Sequence, residues 1–173
     1  QWAMGGNHQY NLGDGTEVDR VVPTLIGGMA SRWLAIGGYS FSGAGIKNDG
    51  TLWTWGSNRS GSLGAGSFTA PSHKVPRQIG TDRDWTAVSG KVPFLALKID
   101  GTLYAWGDNQ DGALGDGTYT AKCSPHPIGT GWRHVVQGGF VSLGIKTDGS
   151  LWSWGTKTAG QLGRSGQQRC PFP

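Results

Sequence analysis

The feature that most limits the possible folds of this chain is an internal repeat of about 50 residues. The frame Trp-Gly-x-Asn-x-x-Gly-x-Leu-Gly occupies residues 55–64 and 106–115, and it returns at 154–163 with Lys157 at the Asn position. A degraded copy lies at 4–13. The frame leucines are spaced by 51, 51 and 48 residues: Leu12, Leu63, Leu114 and Leu162. Self-similarity at a fixed period is typical of repeat architectures, in which each repeat is one structural unit.

Each full repeat carries the signals of about four short strands. An Asp-Gly pair separates two apolar runs, at 49–50, 100–101 and 148–149. Such a pair predicts a hairpin with a type I′ turn, which needs positive φ at both central residues. A further apolar run begins upstream, at Trp33, Trp85 and Trp132. Runs with prolines at 75–79 and 125–128 supply a fourth strand, which proline confines to a sheet edge. The pattern predicts an all-β fold, a β-propeller of four-stranded blades with about three repeats visible.

Composition agrees with this architecture. The 173 residues include 32 glycines and nine tryptophans, and only 15% are charged. Disordered chains are poor in aromatic and β-branched residues, whereas this chain has Trp, Leu, Ile and Val in short runs. The net charge of +4 comes from scattered Lys and Arg residues that form no basic stripe. We therefore predict no nucleic-acid partner.

Targeting and redox signals are weak. No apolar stretch approaches the roughly 20 residues of a membrane span, and we expect neither a span nor a signal peptide in these residues. The first residue is Gln1, from which we expect an N-terminus that was processed, trimmed or left out. The two cysteines, Cys123 and Cys170, form neither a disulfide framework nor a metal signature.

Most tryptophans recur at frame positions. Alternation along Thr-Leu-Trp-Thr-Trp places Trp53 and Trp55 on one face of a strand and Leu52 on the other. Both faces are therefore apolar, as a blade sandwiched between neighbours requires. Core packing between blades is the prediction for the frame tryptophans, and platforms for sugar rings are the alternative.

The sequence lacks the constellations that carry catalysis or metal binding. No histidine pair has metal-ligand spacing among His8, His73, His126 and His134. Neither a Gly-x-Ser-x-Gly elbow nor a Gly-Lys-Thr phosphate loop occurs. Residues 108–112 faintly resemble a calcium loop, but Tyr119 stands where the liganding Glu belongs. Asn109 belongs to the frame, where it fixes a turn. We predict no metal, no cofactor and no enzymatic activity.

Candidate partner-binding residues lie in the long loops after the frame leucines. The residues five positions after each leucine vary although the surrounding frame repeats: Glu17, Phe68, Tyr119 and Gln167. Exposed aromatics on loops held by a rigid scaffold are typical contact residues. Arg59 and Gln110 complete the candidate set. Packing of the four varying side chains over the propeller face is the alternative.

The frames resemble the regulator-of-chromosome-condensation repeat family. The resemblance rests on Leu-Ala-Leu-Lys-x-Asp-Gly-Thr-Leu-Tyr-Ala-Trp-Gly at 95–107 and on the residues that follow: Asn109, Gly112, Leu114, Gly115, Asp116, Gly117 and Thr118. It covers nearly the whole chain and implies a seven-bladed propeller with four strands per blade. The family's founder is an exchange factor on chromatin. Regular, Trp-rich repeats like these look more like those of bacterial secreted proteins and phage structural proteins. A similar bacterial propeller inhibits β-lactamases through its loop face.

These patterns predict a non-enzymatic protein-binding or structural module of a secreted or virion protein. Its partner would be another protein or a neighbouring subunit, contacted through the loops between blades. A carbohydrate-binding propeller lectin and an exchange factor for a small GTPase are the alternatives. We interpret residues 1–173 as one propeller segment with repeat frames ending near 13, 64, 115 and 163. We expect the segment to be part of an incomplete ring or of an obligate assembly, because apolar blade faces would otherwise meet water.

Overall fold

A computed structural model describes residues 2–26, 32–39, 41–156, 160–163, 169–170 and 173. Within these ranges the only helical element is a 3₁₀ turn at Arg59–Gly61, and no helix is long and apolar enough to span a membrane. The strands are β1 (Trp2–Gly5), β2 (Arg20–Leu25), β3 (Trp33–Tyr39), β4 (Ser42–Lys47), β5 (Leu52–Gly56), β6 (His73–Gln78), β7 (Trp85–Gly90), β8 (Phe94–Lys98), β9 (Leu103–Gly107), β10 (Lys122–Gly129), β11 (Trp132–Gln137), β12 (Val141–Lys146), β13 (Leu151–Thr156) and β14 (Arg169–Cys170).

The strands form three antiparallel sheets of four strands each, preceded by a two-stranded sheet. Strands β3–β6 make blade 1, β7–β10 blade 2 and β11–β14 blade 3, while β1 and β2 make a half-blade. The predicted four-stranded repeat is thereby confirmed. The proline-containing strands β6 and β10 lie at sheet edges, as their missing N–H groups require.

The Asp-Gly turns differ in type from the predicted type I′ turns. The glycine of each pair has φ between +76° and +87°, as predicted, but the aspartate before it does not have positive φ. In blade 2, the Gly101 N–H donates to the Lys98 carbonyl and the Lys98 N–H to the Thr102 carbonyl, both at 3.0 Å. This is the pattern of a three-residue loop that ends in a left-handed glycine. The Asp100 carboxylate accepts the Thr102 N–H at 2.8 Å, which stabilises this alternative turn.

The core of the molecule lies between blades. The junction of blades 1 and 2 buries Ala44, Ile46, Leu52, Trp85, Val88, Phe94, Ala96 and Trp106. The junction of blades 2 and 3 buries Leu95, Leu97, Leu103, Ala105, Leu114, Trp132 and Trp154. Each large apolar side chain buried in this way stabilises the fold by about 1.5–3 kcal/mol.

The frame tryptophans connect each blade to the unit before it. Trp55, Trp106 and Trp154 are buried. Their indole N–H groups donate, over 2.9–3.0 Å, to carbonyls of the preceding unit: Asn11, Ser62 and Ala113. The last glycine of the frame lies directly against the ring, since a Cβ on Gly115 would sit 2.7 Å from Trp154 Nε1. The prediction of core packing is confirmed for these three tryptophans.

The antiparallel strand order separates the connections of each blade into two ends. The turn between the first two strands and the long loop between the last two lie at one end, which we call the loop end. In blade 2 these connections are residues 91–93 and 108–121. The Asp-Gly turns and the linkers between blades lie at the opposite end, which we call the turn end.

Candidate functional site

The long loops of the loop end are organised by the frame asparagine. Asn109 is buried, and its amide NH₂ donates to the Thr118 and Thr120 carbonyls at 2.9 and 3.3 Å. Its Oδ1 accepts the Leu114 N–H at 3.0 Å. The side chain is thus used by its own loop. Among the described residues, no group of three or more His, Cys, Asp or Glu side chains could hold a metal ion.

Two of the three described loops also contain a buried aspartate paired with a basic residue, which we call the Asp–basic lock. Asp116 pairs with Lys122 at 3.1 Å and Asp14 with Arg20 at 2.6 Å. Burial alone would raise the pKa of Asp14, but hydrogen bonds from Thr16 and Arg20 outweigh it and hold that pKa at about 2. The lock therefore contains a carboxylate that stays charged at neutral pH.

The loop of blade 1 lacks this lock. Ala65 stands at the aspartate position and His73 at the position of the basic residue. From Asn58 to His73 the loop runs 15 residues, against 13 in the other two loops. His73 is buried with Nδ1 3.4 Å from the Thr54 carbonyl, and burial lowers its pKa, so that its imidazole is neutral at pH 7.

A cavity of about 560 Å³ opens at the loop end, which we call the mouth cavity. All three blades contribute to its lining, which includes Phe41, Arg59, Lys91, Val92, Asp108 and Phe140. Phe41 and Phe140 are 47% and 68% exposed, although both are large and apolar. Apolar side chains exposed within a charged rim are typical of binding surfaces.

The predicted candidate residues lie around the loop end without converging on one point. Arg59 lines the mouth cavity. Four other candidates are exposed in successive loops, and none is among the described residues that line this cavity: Glu17, Phe68, Gln110 and Tyr119. A Cβ on Gly61 would lie 3.0 Å from the Phe68 ring, so this ring partly covers its own loop. Gln167 lies outside the described residues.

Sequence reasoning missed the apolar lining of the mouth cavity. Phe41, Val92 and Phe140 occupy the same position of successive repeats, in the short turn before the second strand. A turn at this place does not need a large apolar residue, so its recurrence in three repeats was an available signal. The prediction favoured the long loops instead, because Phe68 and Tyr119 are aromatic residues at positions that vary between repeats.

The remaining candidates for metal or redox chemistry are dispersed. His8 lies 3.7 Å from Asp19 at the surface, and His126 and His134 are exposed in separate strands. Cys123 is a free thiol. These side chains form no common site.

Comparison with known proteins identifies the family. The family model described as the regulator of chromosome condensation (RCC1) repeat matches residues 49–90 and 100–144, which together make up half of the chain. The chain belongs to the RCC1 repeat family. The ultraviolet-B receptor UVR8 of Arabidopsis thaliana is 31% identical over 157 residues, which cover 78% of this chain and 34% of that receptor. The RCC2 homolog of Danio rerio is 39% identical over 87 residues, which cover 48% of this chain and 17% of that protein.

Solved structures show the same RCC1-like propeller fold. Human WBSCR16 superposes with a TM-score of 0.86 at 20% identity, over 99% of this chain and 47% of that one. Prp20p of Saccharomyces cerevisiae gives a TM-score of 0.79 at 22% identity, over 95% of this chain and 42% of that one. The chain thus spans about a third of the UVR8 receptor and less than half of each of these structures.

Proposed function

We propose that this RCC1-repeat chain is a non-enzymatic protein-binding module that contacts its partner through the mouth cavity and the loops around it. The observation that carries the proposal is the pair of exposed rings, Phe41 and Phe140, in a cavity with charged Arg59 and Asp108 on its lining. Aromatic anchors within a polar rim are the usual composition of protein–protein contact sites.

The rigidity of the surrounding loops supports the proposal. The buried amide of Asn109 fixes one loop from within, and the indole N–H of Trp154 bonds across to the Ala113 carbonyl of that loop. Loops that are already ordered lose little conformational freedom when a partner binds. The loop end therefore presents its contact residues in a pre-organised arrangement.

Two solved structures of one relative, the yeast protein Prp20, agree with a binding role. The structure of Prp20p was described together with its binding properties to Gsp1p and histones. Yeast RCC1 (Prp20) has been crystallised bound by Kap60, and that chain shares 16% identity with this one at a TM-score of 0.58. These partners are those of the yeast protein, and they support only the class of function proposed here.

The two alternatives are separable by direct assays. A propeller lectin would need exposed aromatic platforms, and three of the frame tryptophans are buried instead: Trp55, Trp106 and Trp154. A glycan array without a hit disfavours the lectin. Acceleration of nucleotide release from a small GTPase would instead identify an exchange factor. The setting in a secreted or virion protein rests on the resemblance of the regular, Trp-rich repeats, and the genomic neighbourhood tests it.

The decisive experiment compares the two ends of the molecule. We expect the Phe41→Ser/Phe140→Ser variant to lose specific partners that the wild-type chain captures from its native source. The control is Ile99→Ser, which removes an even more exposed apolar side chain at the turn end. All three proteins should melt alike, because the substituted side chains are exposed. Equal capture by the double variant and the wild type would refute the mouth cavity as the contact site.

A further inference from the structure

A groove opens at the outer rim of the junction between blades 1 and 2, beside the loop that lacks the Asp–basic lock. Its volume is about 550 Å³, within the range of about 300–1,000 Å³ that small-molecule sites occupy. Its lining includes six residues with aromatic, ionisable or repeat-specific side chains: Ala65, His73, Arg77, Asp82, Trp85 and Tyr104. Ala65 and His73 are the two residues that replace the lock. The groove therefore lies where the loop of blade 1 lacks the Asp–basic lock that the other two described loops contain.

One wall of the groove is aromatic and carries a buried donor without an acceptor. The rings of Trp85 and Tyr104 meet edge to face, with centroids 5.0 Å apart. Trp85 is 4% exposed, and its Nε1–H has no hydrogen-bond partner in the described part of the protein. A buried N–H group normally has an acceptor. Trp33, at the same position of the preceding repeat, also lacks a partner, but it lies at a junction that retains its lock.

Among the described charged side chains that line the groove, one cation has no carboxylate partner. Asp82 is already bound by Lys98 at 2.7 Å, and Asp84 also lies 3.1 Å from that ammonium. His73 is buried and contributes no charge at pH 7. Within the described ranges, no carboxylate pairs with the Arg77 guanidinium. The charge that an incoming ligand can neutralise is therefore the guanidinium.

We propose that this groove binds a small aromatic carboxylate, whose carboxylate pairs with Arg77 and whose ring packs on Trp85 and Tyr104. Guanidinium groups bind carboxylates through two parallel hydrogen bonds, and aromatic rings prefer the edges and offset faces of other rings. The site is separate from the mouth cavity and does not depend on the proposed protein-binding function.

Titration of the ¹⁵N-labelled chain with phenylacetate tests the proposal. We expect the Trp85 indole N–H signal to shift saturably, while the Trp33 indole signal serves as the internal reference and stays in place. Phenylacetamide has the same shape without the charge, and we expect it to bind about tenfold more weakly or worse. Absence of a Trp85 shift up to about 20 mM phenylacetate, or equal binding of acid and amide, would overturn the proposal.

Three variants locate the site. Arg77→Gln should weaken phenylacetate binding by about tenfold, whereas Arg83→Gln removes an equal charge from an arginine that does not line the groove and should change nothing. The double variant Ala65→Asp/His73→Lys rebuilds the lock of the other loops, and we expect it to fill the groove and weaken binding without lowering the melting temperature. Wild-type affinity in Arg77→Gln contradicts the assignment.

Discussion

Leu103 and Leu151 occupy the same position of successive repeats, each as the first residue of its blade's third strand. Leu103 is 0% exposed in the junction with blade 3, whereas Leu151 is 72% exposed on the outer face of that blade. The local sequence around both is nearly the same, so the difference comes only from the presence of a following blade. Burial in this fold is supplied by the neighbouring repeat, and stability resides at the junctions.

The outer face of blade 3 is therefore equivalent to the face of blade 2 that is buried in the junction with blade 3, but it is exposed. Leu143 and Leu151 are both exposed on it. The expectation of a longer ring or an obligate assembly stays a prediction. We expect the isolated 173-residue chain to self-associate or to bind an apolar-surface dye. A dye-free monomer in light scattering would contradict both forms of the expectation.

Truncation of the two leucines should separate the junction from the open face by the largest difference in stability. Leu103→Ala leaves a cavity between blades and should cost about 2–5 kcal/mol. Leu151→Ala should cost less than about 0.5 kcal/mol, because the side chain is already in water. Urea unfolding measures both. A similar cost for the two variants would show that the outer face is covered in solution.

The Asp-Gly turns offer the next largest contrast. Gly101→Val forces a β-branched residue to φ of +79° and brings its Cβ within 3.1 Å of the Trp132 carbonyl oxygen in blade 3, so we expect a cost of about 1–3 kcal/mol. Gly149→Val has the same backbone strain, but its Cβ meets no atom within 4 Å. It should therefore be the milder of the two by thermal melting. An unchanged melting temperature in Gly101→Val would contradict the left-handed glycine.

Acid should loosen the junctions that contain the Asp–basic lock. Asp14 has a pKa of about 2 in the folded chain, against 3.8 normally, so the unfolded chain takes up the proton first as the pH falls. Its stabilising contribution is complete above about pH 4.5 and is lost as the pH falls through 2. We expect Asp14→Asn to remove about 1–2 kcal/mol of stability at pH 7 and to flatten the pH dependence below pH 4. An identical pH profile in the variant would show that the lock contributes nothing.

The smallest effects on stability are expected from the loop aromatics. Phe68→Ala and Tyr119→Ala should each lower the stability by about 0.5 kcal/mol or less, because both rings are about half exposed. Both substitutions should still weaken partner binding if the predicted loop contacts are correct. If the variants unfold instead, these rings belong to the core and the assignment fails.

The sequence predicts the blades well because their signals are local and repeated. The Asp-Gly pairs predict positive φ at Gly101 and its equivalents, and the spacing of the frame tryptophans predicts packing between blades. The turn type was wrong for a physical reason: the Asp100 carboxylate accepts the Thr102 N–H, which favours a loop that keeps the aspartate at negative φ. The preference of Asp-Gly pairs for type I′ turns does not take into account this hydrogen bond from the Thr102 N–H to the Asp100 carboxylate.

The candidate site was only partly predictable. Arg59 was named from its loop, but Phe41 and Phe140 come from turns about 100 residues apart that meet only through the curvature of the arc. The groove beside Ala65 depends on a residue that is missing from one repeat. Neither feature is visible in a single repeat, because each arises from the juxtaposition of several.

The indole bonds between blades have a direction. Trp106 donates to the Ser62 carbonyl of the unit before it, and Trp154 donates to Ala113 in the same sense. Loss of a blade from the C-terminal side deletes a donor together with its blade, and the carbonyl left behind can bond to water. Loss from the N-terminal side removes both the acceptor and the glycine that lies against the indole, so that a large apolar ring is left exposed to water. Gene duplication and deletion should therefore add and remove repeats more readily at the C-terminal side of such an arc than at its N-terminal side.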